Sequence, residues 1–347
     1  MTDFYALPDA AKEECFRALV EQALTLWGYP GARCDLIKQR ENAVFAVQAA
    51  DGKRFVMRVH RAGYHTDQEL LSELQWIAAL AEHGVDAPKV IPAIDGSLFK
   101  KVQVPQVPEA RQVDVMAWID GKQIGSIEQA FEDVAEARRN YRTIGKLMAK
   151  MHNFAVQWQA PTNFVRHAWD EQGLLGEEPW WGRFWELEIL DEEQRARLLT
   201  ARDVAMQALL AYGKGQDRYS LIHADSLPEN FLVDSHGAVR IIDFDDGGYG
   251  WHLFDIATAL FPVLGDDCFD DLLMELLGGY QELRSIPPEL EEMLPVFLLL
   301  RGFTYLGWAH TRSETAAAKE LAPMIVAGVM GLLDSAEQQA VNASLAE

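Results

Sequence analysis

Apolar positions along the chain change their period several times. Between residues 9 and 27, Phe16, Leu19, Val20, Ala23, Leu24 and Trp27 recur at helical spacing, and Gly28, Pro30 and Gly31 end the run. Strand-like runs follow at 34–37, 44–49 and 55–60, with Asp51-Gly52 as a hairpin turn between the last two. Thr66-Asp67-Gln68-Glu69 reads as a capping box that opens a helix to about Glu82, with Gly84 just past its end. Leu70, Leu71, Leu74, Ile77, Ala78, Leu80 and Ala81 give that helix a broad apolar face. The cap engages Glu69 and leaves Glu73 for a partner elsewhere. Runs at 90–94, 98–104 and 113–119 read as further strands, with Asp95-Gly96 as a turn.

Beyond residue 121 the period is mostly helical. A long helix is expected over 127–152, with Tyr141, Ile144, Leu147, Met148 and Met151 on its apolar side and His152 as a packing or capping residue. Further helices are expected at 192–210, 266–280, 290–310 and 315–336. The segment 161–187 crowds Trp169, Trp180, Trp181, Phe184 and Trp185 among acids. It can line a pocket for an amine-bearing molecule, or it can simply cover the fold. In the run 300–310, Arg301, Tyr305, Trp308 and His310 stand among apolar residues as further candidates for contact with a bound molecule, or as structural groups.

One stretch breaks both periods. Residues 221–246 read LIHADSLPENFLVDSHGAVRIIDFDD. The runs 231–233 and 239–242 flank the turn Asp234-Ser235-His236-Gly237 and so form a hairpin. A hairpin brings its outer ends together, which sets the loop holding His223, Asp225 and Asn230 beside Asp243. Two carboxylates and an amide oxygen then surround one small volume, a donor set suited to a hard ion such as Mg²⁺. The order H-x-D-x-x-x-x-N, hairpin, D-F is the arrangement kinases use: a loop with a base and one metal ligand, then a second motif with the other.

This stretch resembles the aminoglycoside phosphotransferase and choline kinase superfamily, small-molecule kinases with a protein-kinase-like fold. Their loop usually reads H-G-D-x-x-x-x-N, with I-D-F-D or I-D-F-E after it; here Ala224 replaces the glycine. The run WHLFDIATAL, with Asp255, Ile256 and Ala257, resembles the helix that follows in that family. The resemblance implies an α+β, two-lobed fold: an N-terminal antiparallel-sheet lobe over 1–120 and a larger, mainly helical lobe over 121–347. It implies ATP and Mg²⁺ as cofactors, Asp225 as catalytic residue, and Asn230 and Asp243 as metal ligands. Asp245 would reach the metal or its water shell, and His223 would brace the loop. Arg58, where the family carries Lys or Arg, would steady the phosphates, paired with Glu73. The stretch VMAWIDG resembles the family's hinge, so the Ala117 carbonyl and the Ile119 amide would face the adenine edge. The phosphate-covering loop would lie at 40–44, RENAV, without a glycine.

Composition narrows the readings. The 347 residues exceed one small core. With 31 basic against 53 acidic side chains the net charge is −22, which repels phosphate backbones and disfavours a nucleic-acid partner. Three scattered cysteines make neither a disulfide framework nor a zinc pattern, and fit a reducing, cytoplasmic setting. The N-terminal residues lack the apolar core of a secretory signal, and no apolar run is expected to reach bilayer length. The function expected is transfer of the γ-phosphoryl group of ATP to a hydroxyl of an aminoglycoside-, choline- or homoserine-like acceptor. The alternatives are a non-catalytic nucleotide-binding regulator and a protein serine/threonine kinase, the latter disfavoured by the short segment after Asp243. Residue types alone do not choose the acceptor or the oligomeric state.

Overall fold

The computed structural model describes residues 4–39, 42–125, 131 and 133–346. Two compact units divide the chain. One comprises Met1–Lys122, Gln159–Arg166 and Leu232–Ile242; the other comprises Gln123–Trp158, His167–Phe231 and Asp243–Glu347.

The first unit contains α1 (Asp9–Leu26), β1 (Arg33–Gln39), β2 (Ala43–Gln48), β3 (Arg54–Val59), α2 (Asp67–Glu82), β4 (Phe99–Val102) and β5 (Arg111–Ala117). Its sheet is antiparallel throughout, in the order β1-β2-β3-β5-β4. Alternate strand residues, among them Phe45, Val47, Phe55, Met57, Val113 and Val115, join Phe16, Leu19, Val20, Ala23 and Leu24 of α1 in one core. The period-2 and period-3.6 patterns thus meet in a single buried layer. At the start of α2, Thr66 Oγ1 accepts from the Glu69 amide at 3.2 Å and Glu69 Oε2 accepts from the Thr66 amide at 2.8 Å, so the capping box is complete.

The expected strand at 90–94 reduces to one bridge, Val90 to Met116, although Ile91 N still donates to Val115 O at 2.8 Å. Pro88 and Pro92 explain the difference, because neither has an N–H to extend a ladder.

In the second unit the long helix is α3 (Val134–Gln157), capped by Asp133 and extending past His152; the expected start at 127 lies outside the described residues. It is followed by β6 (Ala168–Trp169), α4 (Glu171–Leu175), α5 (Glu192–Tyr212), β7 (Tyr219–Ile222), β8 (Gly248–Trp251), α6 (His252–Leu260), α7 (Phe269–Gln281), α8 (Leu290–Thr311) and α9 (Ala316–Ala346). Glycines let α3 and α7 touch backbone to backbone. A Cβ on Gly145 would lie 2.0 Å from the Leu276 carbonyl oxygen, and one on Gly279 would lie 1.9 Å from that of Arg142.

Helix α9 includes Ala316–Gln338, long and apolar enough by length and composition to cross a membrane, which overturns the expectation that no run reaches that length. Its charged residues are concentrated at the two ends, and the alanines and glycines between them disguise the apolar run. Ala318, Ala322, Val326, Val329 and Leu333 nonetheless form a buried stripe at helical spacing.

The glycines of the segment 247–250 are the composition of a flexible turn, yet Gly248–Trp251 is the middle strand of a three-stranded sheet, parallel to β6 and antiparallel to β7. The glycines are there for room rather than flexibility. A Cβ on Gly248 would stand 2.6 Å from the His167 carbonyl oxygen, and one on Gly250 would stand 2.4 Å from Ile222 Cδ1. Gly248→Ala is expected to lower stability by about 1–3 kcal/mol through overpacking against backbone. The midpoint of urea unfolding measures it, and an unchanged midpoint would mean that β6 can move aside.

Candidate active site

Strand β7 ends in two buried apolar residues, Leu221 and Ile222, and hands the chain to the loop that begins at His223. The loop is held from beneath by one carboxylate. Asp255, on α6, accepts from the amides of His223 at 3.0 Å and Ala224 at 2.7 Å. Those two bonds fix Ala224 at φ 64°, in the left-handed region. A residue with a Cβ resists that conformation by about 1–2 kcal/mol, which is the physical reason a glycine suits the position.

Beyond the turn, Asp225 is gripped on both carboxylate oxygens. Asn230 Nδ2 donates to Oδ2 and to the Asp225 carbonyl oxygen, both at 2.8 Å, and Arg301 Nη2 donates to Oδ1 at 2.7 Å. Asn230 closes a single 3-10 turn, Pro228–Asn230, and its side chain reaches back across the loop. Because Nδ2 is engaged by Asp225, Oδ1 is the ligand atom left to the amide. The buried His223 ring braces the loop, with Nδ1 accepting from the Asp225 amide at 3.3 Å.

Asp243 stands at φ 66°, the other non-glycine in the left-handed region among the described residues. Phe244, next in sequence, is fully buried with its ring 4.7 Å from that of His223 at 61°. This contact brings the Asp-Phe segment against the loop that holds Asp225 and Asn230. Past the buried Asp245, the carbonyl oxygen of Asp246 accepts from Trp169 Nε1 at 2.8 Å and from His167 Nε2 at 3.1 Å. The Trp-rich segment therefore ties down the backbone that follows Asp243. Trp180 stacks on His167 at 4.3 Å, while Trp169 and Phe184 lie wholly inside.

Behind Asp255 is a buried layer. His152 Nε2 lies 3.1 Å from Asp255 Oδ2, and its Nδ1 bonds the Tyr280 hydroxyl at 2.9 Å. The His252 ring stacks on His152 at 4.3 Å and bonds Ser220 Oγ at 2.8 Å. Burial pushes both imidazoles well below their ordinary range, reinforced by the charge of Arg284. Burial also pushes the Asp255 carboxyl up, against the hydrogen bonds it accepts.

The first unit holds a second charged cluster. Arg58, on β3, turns inward and is buried with Glu73 and Asp114. Nη2 donates to Glu73 Oε1 at 2.8 Å and to Asp114 Oδ2 at 2.9 Å, and Nε adds a bond to Asp114 Oδ1 at 3.0 Å. His60 Nε2 lies 2.5 Å from Asp114 Oδ2, and Arg166 Nη1 lies 3.6 Å from Glu73 Oε2. Burial alone would raise the Asp114 carboxyl, but Arg58 and His60 outweigh it and hold it below the usual range. Ala117 ends β5, with its amide bonded to Lys89 O at 2.8 Å, and Ile119 follows outside any strand. Of the segment 40–44, Arg40 and Glu41 lie outside the described residues; Asn42 Oδ1 accepts from the Arg61 amide at 3.1 Å.

Sequence reasoning passed over Asp114 and Arg166, and it left Arg301 without a partner. The signal for Asp114 is a carboxylate alternating into the apolar strand RQVDVMA. The signal for Arg301 is a lone cation in an apolar helix. Each such charge demands a buried counter-charge.

Residues 35–295 match the model of a family described as the phosphotransferase enzyme family. The chain is 23% identical over 320 residues to amicoumacin kinase of Bacillus subtilis (strain 168), covering 89% of each. Among solved structures, the microcompartment-associated aminopropanol kinase is 30% identical with a TM-score of 0.80, covering 94% of this chain and 98% of that one. The amicoumacin kinase hAmiN, in complex with AMP-PNP, Ca²⁺ and Ami, is 22% identical with a TM-score of 0.74, covering 93% and 96%.

Two outcomes follow from these buried charges. The unfolded chain takes up protons on His152 and His252 near pH 6.5, while the folded chain does so only well below that. Stability should therefore rise with pH across about 5.5–7, by at most about 1–3 kcal/mol per unit for the pair. The raised Asp255 carboxyl acts with the opposite sign. Urea midpoints at pH 5.5 and 7.5 test this, and His152→Gln should roughly halve the slope. Asp114→Ala leaves two buried guanidinium groups, Arg58 and Arg166, facing the single carboxylate of Glu73, and is expected to cost about 3–5 kcal/mol, read by calorimetry as a lowered Tm.

Proposed function

We propose, from the premise that the chain belongs to the phosphotransferase enzyme family, that Asp225 orients the hydroxyl of a small acceptor and takes its proton. The reaction is that of a small-molecule kinase: the γ-phosphoryl group of ATP passes to a hydroxyl of a small molecule. The observation that carries the assignment is the grip on Asp225. A carboxylate held at 2.8 Å by Asn230 and at 2.7 Å by Arg301 keeps one geometry toward an incoming O–H. Holding that geometry is worth large factors in rate, since positioning is most of what this chemistry asks of the protein.

Asn230 Oδ1 and the Asp243 carboxylate would hold Mg²⁺, as an all-oxygen pair suits a hard cation. The ion supplies neutralisation of the charge on the phosphates. Asp245 would reach its water shell, and His223 keeps the loop braced. Arg58 would steady the α- and β-phosphates, its fork kept in plane by Asp114 and Glu73. The Ala117 carbonyl and Ile119 amide would meet the adenine edge. On this reading residues 1–120 bind the nucleotide and 121–347 carry catalysis and the acceptor.

For the acceptor we infer a small hydroxylated amine. A relative at 30% identity is an aminopropanol kinase, and a net charge of −22 favours a cationic molecule while disfavouring nucleic acid. We place the reaction in the cytoplasm, where ATP is supplied.

Mg²⁺-dependent ATP consumption should be measured with 1-amino-2-propanol, ethanolamine, choline, homoserine, an aminoglycoside and glycerol. Turnover is expected with at least one of the amines. Asp225→Asn should bind AMP-PNP normally and lose about 10²–10⁴-fold in kcat; Asp243→Ala should lose at least about 10²-fold. Normal turnover by Asp225→Asn would end the role given to Asp225, and activity confined to glycerol would end the choice of acceptor.

A further inference from the structure

Arg301 lies on α8 inside an apolar run, and none of its side chain is exposed. A buried guanidinium is retained only where its surroundings compensate for lost water. Here they do so in an ordered way. Nη1 donates to the Ala224 carbonyl oxygen at 3.1 Å, and Nη2 donates to Asp225 Oδ1 at 2.7 Å while bonding the Tyr305 hydroxyl at 3.1 Å. The guanidinium carbon lies 4.4 Å from the Tyr305 ring centroid and 5.1 Å from that of Trp181. Trp181 arrives from the Trp-rich segment, which is seated directly on α8. A Cβ on Gly307 would stand 2.7 Å from the Gly182 carbonyl oxygen, and Thr311 Oγ1 donates to the Trp181 carbonyl oxygen at 3.3 Å.

We propose that Arg301 is a positioning residue for Asp225, and that the Trp181 and Tyr305 rings hold its guanidinium in place. The proposal rests on the reading of Asp225 given above. Asn230 and Arg301 take one carboxylate oxygen each, so the carboxylate cannot turn about its Cβ–Cγ bond without breaking a charge-assisted hydrogen bond. The second bond of Arg301, to Ala224, holds the left-handed turn that aims the whole residue. Both acceptors are met by one planar fork, which an ammonium cannot imitate. Asp225 keeps 18% of its side chain exposed, so its remaining lone pairs stay open to an acceptor. Arg301 also compensates the Asp225 charge from within the protein. The acceptor therefore meets Asp225 through its hydroxyl, and an ammonium on it is read elsewhere. The Trp-rich segment gains a purpose: it supplies one of the two rings that clamp the fork.

The test compares Arg301→Met, Arg301→Lys, Tyr305→Phe and the double variant Arg301→Met/Asp225→Asn. Mg²⁺-ATP and 1-amino-2-propanol are the substrates, and transfer of the γ-phosphoryl group to water, giving ADP and inorganic phosphate, serves as the readout if the amine is not turned over. A displaced carboxylate should reduce kcat about 100-fold in Arg301→Met, with KM for ATP within about 3-fold. Arg301→Lys should recover about 10-fold of that loss, as a point charge restores one bond but not the fork. In the Asp225→Asn background the Met replacement should add nothing.

A folded Arg301→Met with kcat near the parent, a loss carried by KM for ATP, or an additive loss in the double variant would each overturn the proposal. Should Arg301→Met not fold, Tyr305→Phe keeps the ring and removes one bond to the guanidinium. It should reduce kcat severalfold at unchanged Tm, and an unaltered kcat would count against the clamp. A crystal structure of Arg301→Met with Asp225 undisturbed would also overturn the proposal, whatever the acceptor. Full activity in Asp225→Asn alone would instead remove the reading of Asp225 on which it rests.

Discussion

The loop of the second unit depends on a carboxylate that takes no part in the proposed chemistry. Asp255 receives the amides of His223 and Ala224, and those bonds hold Ala224 at φ 64° from beneath. Left-handed backbone at a residue with a Cβ is retained only where neighbouring structure over-determines it. Over-determination is visible from every side here. The carboxylate lies below, Arg301 holds the Ala224 carbonyl oxygen, and the His223 ring caps the Asp225 amide. Asp243 repeats the device at φ 66°, stabilised by a buried Phe244 packed on the same histidine. Two strained points joined through His223 set the directions of Asp225, Asn230 and Asp243. The strain and the proposed function therefore share residues, as is common where a backbone must aim side chains.

The first unit solves a different problem with the same means. Arg58 is a charge on a strand whose neighbours are apolar, and it is stable inside because Asp114 faces its Nε edge and Glu73 reaches its tip. Arg for Lys is consequential at such a site. A lysine offers a point charge, whereas the guanidinium engages two carboxylates in one plane. Arg166, arriving from the separate segment Gln159–Arg166, approaches the other oxygen of Glu73 at 3.6 Å. Glu73 is thereby balanced between two cations, and its orientation is a property of the network rather than of α2 alone.

The sequence conveyed the elements that rest on local rules. Helix α2 begins where a capping box requires it and ends before Gly84; the sheet strands follow from alternation and from Asp51-Gly52. Motif residues were legible because kinase chemistry asks for oxygen donors at fixed spacing. What was not legible has a common cause. Gly248 and Gly250 signal a turn to any local rule, and only the approach of His167 and Ile222 reveals that they mark a crowded strand. Asp114, Arg166 and Arg301 are readable as isolated charges in apolar surroundings, but their partners lie 56, 93 and 76 positions away in the chain. Pattern detects that a buried charge needs a partner; the fold decides which.

The Trp-rich segment carries this point furthest. By composition it suits a cover or a pocket wall equally, and aromatic content alone does not separate the two. In place, it acts through backbone contacts as much as rings. Trp169 and His167 hold the Asp246 carbonyl oxygen, and Gly182 meets α8 closely enough to set Trp181 over Arg301. One segment thus reaches the backbone after Asp243 and the cation that grips Asp225. Trp180 lies between these two anchors, stacked on His167 and more exposed than Trp169 and Trp185, so the aromatic content serves the anchoring rather than a separate wall.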